Sequence, residues 1–413
     1  MPGSCRLCGA TLTRTLVDLG TMPLANSYLE PAALARPEPA YPLIVRLCEA
    51  CLLVQVDHSV AADAIFSDYA YFSSYSAAWV AHGLAYADMM RRRFALDAQA
   101  RIVEIASNDG YLLQHFQRMG MPVLGVEPAA NVAAVAEAKG IRTEVAFFGA
   151  ATAKRLLASG YAADVMAANN VLAHVPDLND FIAGFKILLK PEGVITFEFP
   201  HLLRLLEDVQ FDTIYHEHYS YFSLLSVERA MTRNGLRVFD VERLPTHGGS
   251  LRLFVCHEGS ARKEEAAVDA LRAIEAKARL NEVAAYAGFA PRVDALRAEF
   301  LAFLDEAKRA GKQVAAYGAA AKGNTLLNYC GVTPDRIAYV VDGSPHKQGH
   351  LLPGSHLPVH APQRIFETKP DYVVILPWNL AEEISGQAAG IAAWGGRFVT
   401  AVPNIRIFPA PAR

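Results

Sequence analysis

From Arg101 onward the chain adopts a strand–turn–helix rhythm that restricts its fold more than any other feature. "RIVEIASNDGYLLQHFQRMGMPVLGVEPAANVAAVAEAKGI" reads as strand, small-residue turn, helix, strand, turn, helix. Short apolar strands alternating with helices predict a doubly wound parallel sheet. Further strands are expected at "ADVMAANNVLAHV" and "GVITFEFP". Residues 262–310 are rich in Ala, Glu, Lys, Arg and Leu at helical spacing and predict a long helix or helix pair at a domain junction. The same grammar then returns in "QVAAYGAAAKGNTLLNYCG", "IAYVVDGSP", "YVVILPW" and "RFVTAVP". Two such units suggest a duplicated architecture, although no close internal repeat is visible.

The N-terminal segment follows different rules. Cys5 and Cys8 form one C-x-x-C pair, and Cys48 and Cys51 form another. Two such knuckles can complete a tetrahedral four-sulfur zinc site, with no open coordination position for catalysis. The 39 residues between them require a hairpin or small sheet to return the chain. A redox pair is the competing reading, but no strand precedes the first knuckle as a thioredoxin-like motif requires. Cys256 and Cys330 lie alone in apolar surroundings and are expected to pack. The start lacks a basic n-region and apolar h-region, and no apolar run is long enough to span a bilayer, which predicts a soluble cytoplasmic protein. A balance of 39 basic against 42 acidic residues argues against a mainly electrostatic nucleic-acid binder.

Several residues sit where an open α/β sheet binds ligands. In "VEIASNDGYLL", Gly110 and the backbone amides at the helix start can approach a polar group. Glu127 ends the next strand, 17 residues beyond Gly110, and is placed to accept ribose hydroxyls. Ala106 and Asn108 occupy glycine positions of the dinucleotide fingerprint, which disfavours NAD and favours S-adenosylmethionine (SAM). Asn169 and Asn170 fall at a strand's C-terminal edge, with His174 close behind. In the C-terminal unit, Gly318, Lys322 and Gly323 suggest a diphosphate cradle, and Asp342 ends the following strand as Glu127 does. The polar turn "THGGSLRLF" either faces the same cleft or is a glycine-rich hairpin without a ligand. "FDTIYHEHYSYFS" (211–223) concentrates two histidines, a glutamate and several phenols. Its H-E-H spacing does not match H-E-x-x-H, so one helix could not turn both imidazoles toward a metal.

These motifs together resemble zinc-containing, SAM-dependent C-methyltransferases of nucleotide-linked deoxysugars. The resemblance spans essentially the whole chain. It rests on both C-x-x-C knuckles, "VEIASNDG", "GVEPA", "NNVLAHVPD", "FEFPH", "HEHYSYFS", "THGGSLRLF" and "GAAAKGNTLLN". Ala106 departs from the glycine such enzymes tend to carry, and "GSPHKQGHLLPGSHLP" is less typical. The resemblance implies a zinc-binding domain at 1–65, a central Rossmann-like class I methyltransferase domain at 66–245, and a second Rossmann-like domain at 246–413. It implies SAM held by Glu104, Ala106, Asn108, Gly110, Glu127, Pro128, Phe147, Asn169 and Asn170. It implies structural zinc on Cys5, Cys8, Cys48 and Cys51. It also implies a nucleotide-diphosphate ketosugar at His247, Gly248, Lys322, Gly323, Asn324 and Asp342.

The implied chemistry removes the proton beside a 4-keto group and methylates the resulting enolate, at C-3 of a dTDP sugar. His218 is the implied base, Tyr215 and Glu217 its supports, and His174 and Tyr69 further groups around the site; His216 is left out. The chain is expected to act as a monomer, without nucleic acid or membrane. One rival is a methyltransferase acting on RNA or on a small O- or N-nucleophile, with the zinc domain as adaptor. Against it, N-N-V-L replaces the Asn/Asp-Pro-Pro-aromatic stretch expected for base amino groups. A non-catalytic zinc scaffold is the other rival, and it has no need of Tyr215, Glu217 and His218 together.

Overall fold

The computed structural model describes residues 3–57, 60–61 and 72–411. The first unit is a small antiparallel meander of β1 (Arg14–Met22), β2 (Tyr41–Leu47) and β3 (Val54–Val56). Period-two patterning sets its faces: Leu43, Val45 and Leu47 of β2 point inward while the residues between them stay nearer solvent.

Helix α1 (Ala77–Arg93), capped by the Ser76 side chain, leads into the central sheet. There β4 (Ile102–Ile105), α2 (Leu113–Arg118), β5 (Val123–Val126), α3 (Ala130–Ala138), β6 (Thr143–Glu144), α4 (Ala150–Ala158), β7 (Ala163–Asn169), α5 (Leu178–Leu188) and β8 (Leu189–Pro200) follow in turn. All four residues of β4 are buried, as expected of a parallel strand covered on both faces. After α6 (Leu202–Glu207), strand β9 (Ser220–Tyr221) leaves this unit and pairs antiparallel with β3, placing Gln55 opposite Ser220 and Val54 opposite Tyr221. Helix α7 (Leu224–Arg233) and the hairpin β10 (Leu236–Leu244) and β11 (Ser250–His257) complete the unit. The sheet order is β10-β11-β8-β7-β4-β5-β6, parallel from β8 to β6 with β11 antiparallel against β8. Position 245 therefore falls inside a hairpin whose two arms both belong to the central sheet, because β11 needs β8 to satisfy its backbone.

The 262–310 stretch is a helix pair, α8 (Ala266–Lys277) and α9 (Phe289–Arg309). Beyond it come β12 (Val314–Tyr317), α10 (Ala321–Tyr329), β13 (Val340–Val341), β14 (Val359–His360), α11 (Gln363–Thr368), β15 (Tyr372–Ile375), α12 (Ala381–Gln387), β16 (Arg397–Thr400) and β17 (Arg406–Pro409). Their order, β14-β13-β12-β15-β16-β17, reverses direction between β12 and β15, as the central sheet does between β4 and β7. The expected duplication is thus present in topology. One apolar core joins Leu43 and Val45 of the small sheet to Leu203 and Leu206 of α6, Val293 and Phe300 of α9 and Val314 of β12. A second joins Cys5, Cys48 and Leu53 to β4, β5, β7 and β8. The small lobe is therefore wedged against both α/β units.

Candidate metal centre and active site

Two local turns of the same shape build the metal centre. Cys5 N donates to Ala10 O and Gly9 N to Cys5 O; Cys48 N donates to Leu53 O and Leu52 N to Cys48 O. Gly9 (φ 80°) and Leu52 (φ 60°) take the left-handed conformation that closes each turn. The four Sγ atoms lie within 4.8 Å of one another, with Cys5–Cys51 and Cys8–Cys48 each 3.5 Å apart. Thiolates about 2.3 Å from a tetrahedral Zn²⁺ stand at such separations, so the residues fit the ion. The hydrogen bond with Cys51 draws the Cys5 thiol down to about 4, and the Gln55 amide at 3.2 Å also favours its thiolate. Gln55 and its neighbour Arg6 link this centre to the 211–223 loop. Gln55 Oε1 accepts from Arg6 N, and the Arg6 guanidinium donates to the carbonyls of Val56 (2.7 Å) and Tyr219 (3.1 Å).

The SAM-type residues gather at the C-terminal edge of the central sheet. Ala106 (φ 51°), Asn108 (φ 50°) and Gly110 (φ 76°) alternate in the left-handed region. A Cβ at Gly110 would lie 2.4 Å from Ile141 Cδ1, so packing against Ile141 already requires glycine there. Glu127 closes the loop: Oε2 accepts from Asn108 N (3.0 Å) and Oε1 from Ala129 N (2.9 Å). Burial raises its carboxyl above the usual range, against those two amides. Burial, then the charges of Glu127 and Asp109, push the Glu104 carboxyl up strongly. Buried polar atoms of Glu104, Ser107, Asp109, Asn169 and Asn170 have no hydrogen-bond partner among the described residues. Such orphans converging on a sheet switch point fit a polar ligand such as SAM. Pro128 follows Glu127 directly, and Phe147, beyond β6, is 46% exposed.

The 211–223 loop lies against this edge. His218 Nδ1 is 2.8 Å from Thr213 O. A carbonyl only accepts, so Nδ1 carries the proton and Nε2 keeps its lone pair. The His218 ring packs 4.0 Å from Tyr215 and 4.6 Å from His174, centroid to centroid. Burial, then the neighbouring His174, hold His218 well below the usual imidazole range. Burial likewise lowers His174 and His247 to about 4. Burial lifts Glu217 to about 7, opposed by the amide of Asn26, which donates to Oε1 at 2.7 Å. His216 turns the other way, with Nε2 3.2 Å from Tyr41 O on the small sheet. His247 sits in the turn between β10 and β11 at φ 53° and packs against Trp79. The turn is a glycine-rich hairpin that nevertheless brings an imidazole to the site. Tyr69 lies outside the described residues.

In the C-terminal unit, Asp342 repeats Glu127. Its Oδ2 accepts from Ala319 N and its Oδ1 from Ser344 N, each at 2.8 Å. Lys347, 3.6 Å away, supplies a cation that Glu127 lacks among the described residues. Lys322 Nζ donates to Asn379 Oδ1 (2.6 Å) and stands 4.7 Å from the Trp378 ring centre. Burial lowers its ammonium, and its charge reaches His218 and His247. Gly323 and Gly248 serve packing: a Cβ would meet Leu376 at 2.8 Å and Trp378 at 2.3 Å, respectively. Asn324 donates to Ala25 O and so anchors the N-terminal lobe.

Three family models tile the chain: a zinc binding domain over residues 5–66, a methyltransferase domain over 80–241, and a C-methyltransferase C-terminal domain over 245–403. C-methyltransferase NovU of Streptomyces niveus is 35% identical over 406 residues, covering 98% of this chain and 97% of that protein. The chain belongs to the C-methyltransferase family. A ubiquinone biosynthesis O-methyltransferase of Azorhizobium caulinodans is 29% identical over only 26% of this chain and 46% of its own length. Among solved structures, the magnesium protoporphyrin IX methyltransferase of Synechocystis aligns with 44% of this chain and 81% of its own at 13% identity, TM-score 0.33.

This C-methyltransferase is SAM-dependent and carries a four-cysteine zinc site, and no helix among its described residues is long and apolar enough to cross a membrane. Its structure adds residues that the sequence reading did not assign. Asp212, near the start of the 211–223 loop, is buried, accepts from Trp378 Nε1 at 2.7 Å, and is raised to about 6 by burial. Glu198, at the end of β8, is held by His82 and Arg252, each at 3.0 Å. "FEFPH" and "THGGSLRLF" contain Glu198 and Arg252, so the motifs pointed there, but only β8–β11 pairing reveals that the two side chains meet. Asn26 had no local signal at all.

Proposed function

We propose that this C-methyltransferase acts on a nucleotide-linked 4-keto-deoxysugar, at C-3 of a dTDP sugar, with His218 as the base. The observation that carries the reading is the His218–Thr213 bond, which leaves Nε2 unprotonated in a buried site. Nε2 takes the proton beside the ketone, and charge grows on the carbonyl oxygen. The donor for that oxygen is the Tyr215 hydroxyl, while His174, whose one N–H goes to the Glu217 backbone, lines the site beside the His218 ring. SAM supplies the electrophilic methyl group when bound. Glu104, Asn108, Glu127, Asn169 and Asn170 bind and orient it, with Ala106, Gly110, Pro128 and Phe147 shaping its loop and flank. Lys322 offers its ammonium to the diphosphate, and Asp342 offers acceptors to the nucleoside, with His247, Gly248, Gly323 and Asn324 forming the wall between. The protein works as a cytoplasmic monomer in three units, with the β10–β11 hairpin belonging to the central one.

The test is calorimetric SAM binding followed by hydrogen–deuterium exchange at the sugar. Exchange of one carbon-bound proton that is lost in His218→Asn supports the reading. Undiminished exchange in the variant removes the base assignment, and no exchange with any 4-ketosugar removes the substrate class.

A further inference from the structure

Between β1 and β2 the chain leaves the small lobe and runs as a strap, residues 24–38, onto the C-terminal unit. Leu29 and Leu351 exchange two backbone hydrogen bonds, at 3.0 and 2.8 Å. Tyr28 Oη donates to Ala319 O at 2.6 Å, and Asn324 donates to Ala25 O. Farther along, Glu38 accepts from Gly354 N and pairs with His356, both at 3.0 Å. Ser27 N donates to Leu24 O and Tyr28 N to Asn26 O, so Asn26 stands at the tip of a turn fixed on both sides. Its side-chain amide donates to Glu217 Oε1 at 2.7 Å.

We propose that Asn26 is a positioning residue of the acid–base site, fixing the Glu217 carboxyl and setting its proton affinity from the strap. The inference rests on the proposed acid–base role of the 211–223 loop. A primary amide N–H cannot take up the carboxyl proton, so this bond favours the ionised form of Glu217. Burial favours the neutral form, and the balance leaves the carboxyl near 7, able to hold or release a proton at working pH. The other titratable groups facing Glu217 are Tyr28 on the strap, Tyr219 on its own loop, and His174, whose ring bonds the Glu217 backbone. Both tyrosines are raised by burial, and their hydroxyls donate to the carbonyls of Ala319 and Val60, which leaves Asn26 the one side-chain donor to this carboxyl among the described residues. Because Ala25 and Tyr28 are tied to Asn324 and Ala319, the β12–α10 segment that carries Lys322 also sets where Asn26 stands.

The test titrates Glu217 directly in the full-length, zinc-loaded protein carrying [δ-13C]glutamate, with Glu217→Gln assigning its resonance. The wild-type midpoint is expected near 7. In Asn26→Leu it should rise by about one pH unit, and in Asn26→Ser, which keeps a donor, it should rise less. Asn26→Asp, of the same size, should raise it further by placing a second carboxylate alongside. Should Asn26→Leu lose zinc or SAM binding, the Ser and Asp variants carry the comparison. A midpoint that stays at the wild-type value in folded variants overturns the proposal. The titration needs no sugar substrate, so a failed ketosugar assignment and a failed Asn26 assignment produce different results.

Discussion

His218 Nδ1 donates to the carbonyl oxygen of Thr213, five residues earlier in the same loop, at 2.8 Å. That bond selects the tautomer with a free Nε2, and burial beside His174 keeps the ring neutral well below pH 6.5. The base should therefore be competent throughout the neutral range. The acid limb of kcat/KM that belongs to His218 should lie below the ordinary histidine value. His218→Asn should lower methyl transfer by about 10²–10⁴-fold with little change in SAM affinity, as read by single-turnover kinetics and calorimetry.

The same burial links pH to stability. Folded His174 and His247 have lowered affinities, near 4, so between that value and about 6.5 the unfolded chain binds more protons than the native one. Their contribution is complete above about pH 6.5 and is lost as pH falls through 4. Glu217, raised to about 7, acts with the opposite sign, since its neutral form is the one burial favours. Urea denaturation of His174→Asn should show a flatter loss of stability from pH 6.5 to 5 than wild type, by on the order of 1 kcal/mol. A parallel loss in both proteins would count against the buried neutral imidazole.

Most of the scaffold was legible because it follows from periodicity. The strand–turn–helix alternation, the helix pair and the two cysteine knuckles each depend on residues close in sequence. The 211–223 loop stood out by composition for the same reason. What escaped were relationships made by distant pairing. Ser220–Tyr221 joins the zinc lobe's sheet although almost 170 residues separate it from β3, and no local pattern marks a two-residue strand. Asn26 lies in an unremarkable turn and gains its place only when the strap crosses to Ala319 and Leu351. Gly110, Gly248 and Gly323 looked like ligand approaches, yet each is small because another side chain fills the space.

The zinc centre should control the acid–base loop rather than act in the chemistry. Gln55 bonds Cys5 Sγ and pairs opposite Ser220, while Arg6, inside the first knuckle, donates to Tyr219 O. Removing zinc with a chelator should therefore raise amide exchange across residues 215–222 and abolish methyl transfer. Exchange in β4 and β5 should change much less. Mass-resolved hydrogen exchange alongside zinc stoichiometry checks this, and unchanged protection of 215–222 in the metal-free protein would contradict it.

Ala106 holds a left-handed backbone conformation, φ 51°, that L-residues with a Cβ adopt at a cost of roughly 1–2 kcal/mol. Glycine removes that cost but loses more chain entropy on folding. Ala106→Gly should therefore stabilise the protein by up to about 1 kcal/mol in urea melts, with SAM affinity equal to or above wild type. Destabilisation would mean that the Ala106 methyl makes packing contacts worth more than the strain.

Glu198 has no exposed surface, and its ionised form is kept by His82 and by Arg252, with Thr246 reaching its other oxygen at 3.3 Å. Arg252 also bonds Glu242, so one guanidinium ties β8, β11 and β10 together beneath the turn that carries His247. Replacing Arg252 by Met keeps most of the volume but leaves a buried carboxylate with only a weak base beside it. Breaking a buried pair in this way costs about 3–5 kcal/mol, much more than removing both partners. Arg252→Met should lose that amount in urea denaturation at pH 8, and less at pH 5, where the buried Glu198, without its guanidinium, can take up a proton. The double variant Arg252→Met/Glu198→Gln should recover a large part of the loss. If the double variant is no more stable than the single one, the network acts through packing, and the charge pair is not what holds the His247 turn.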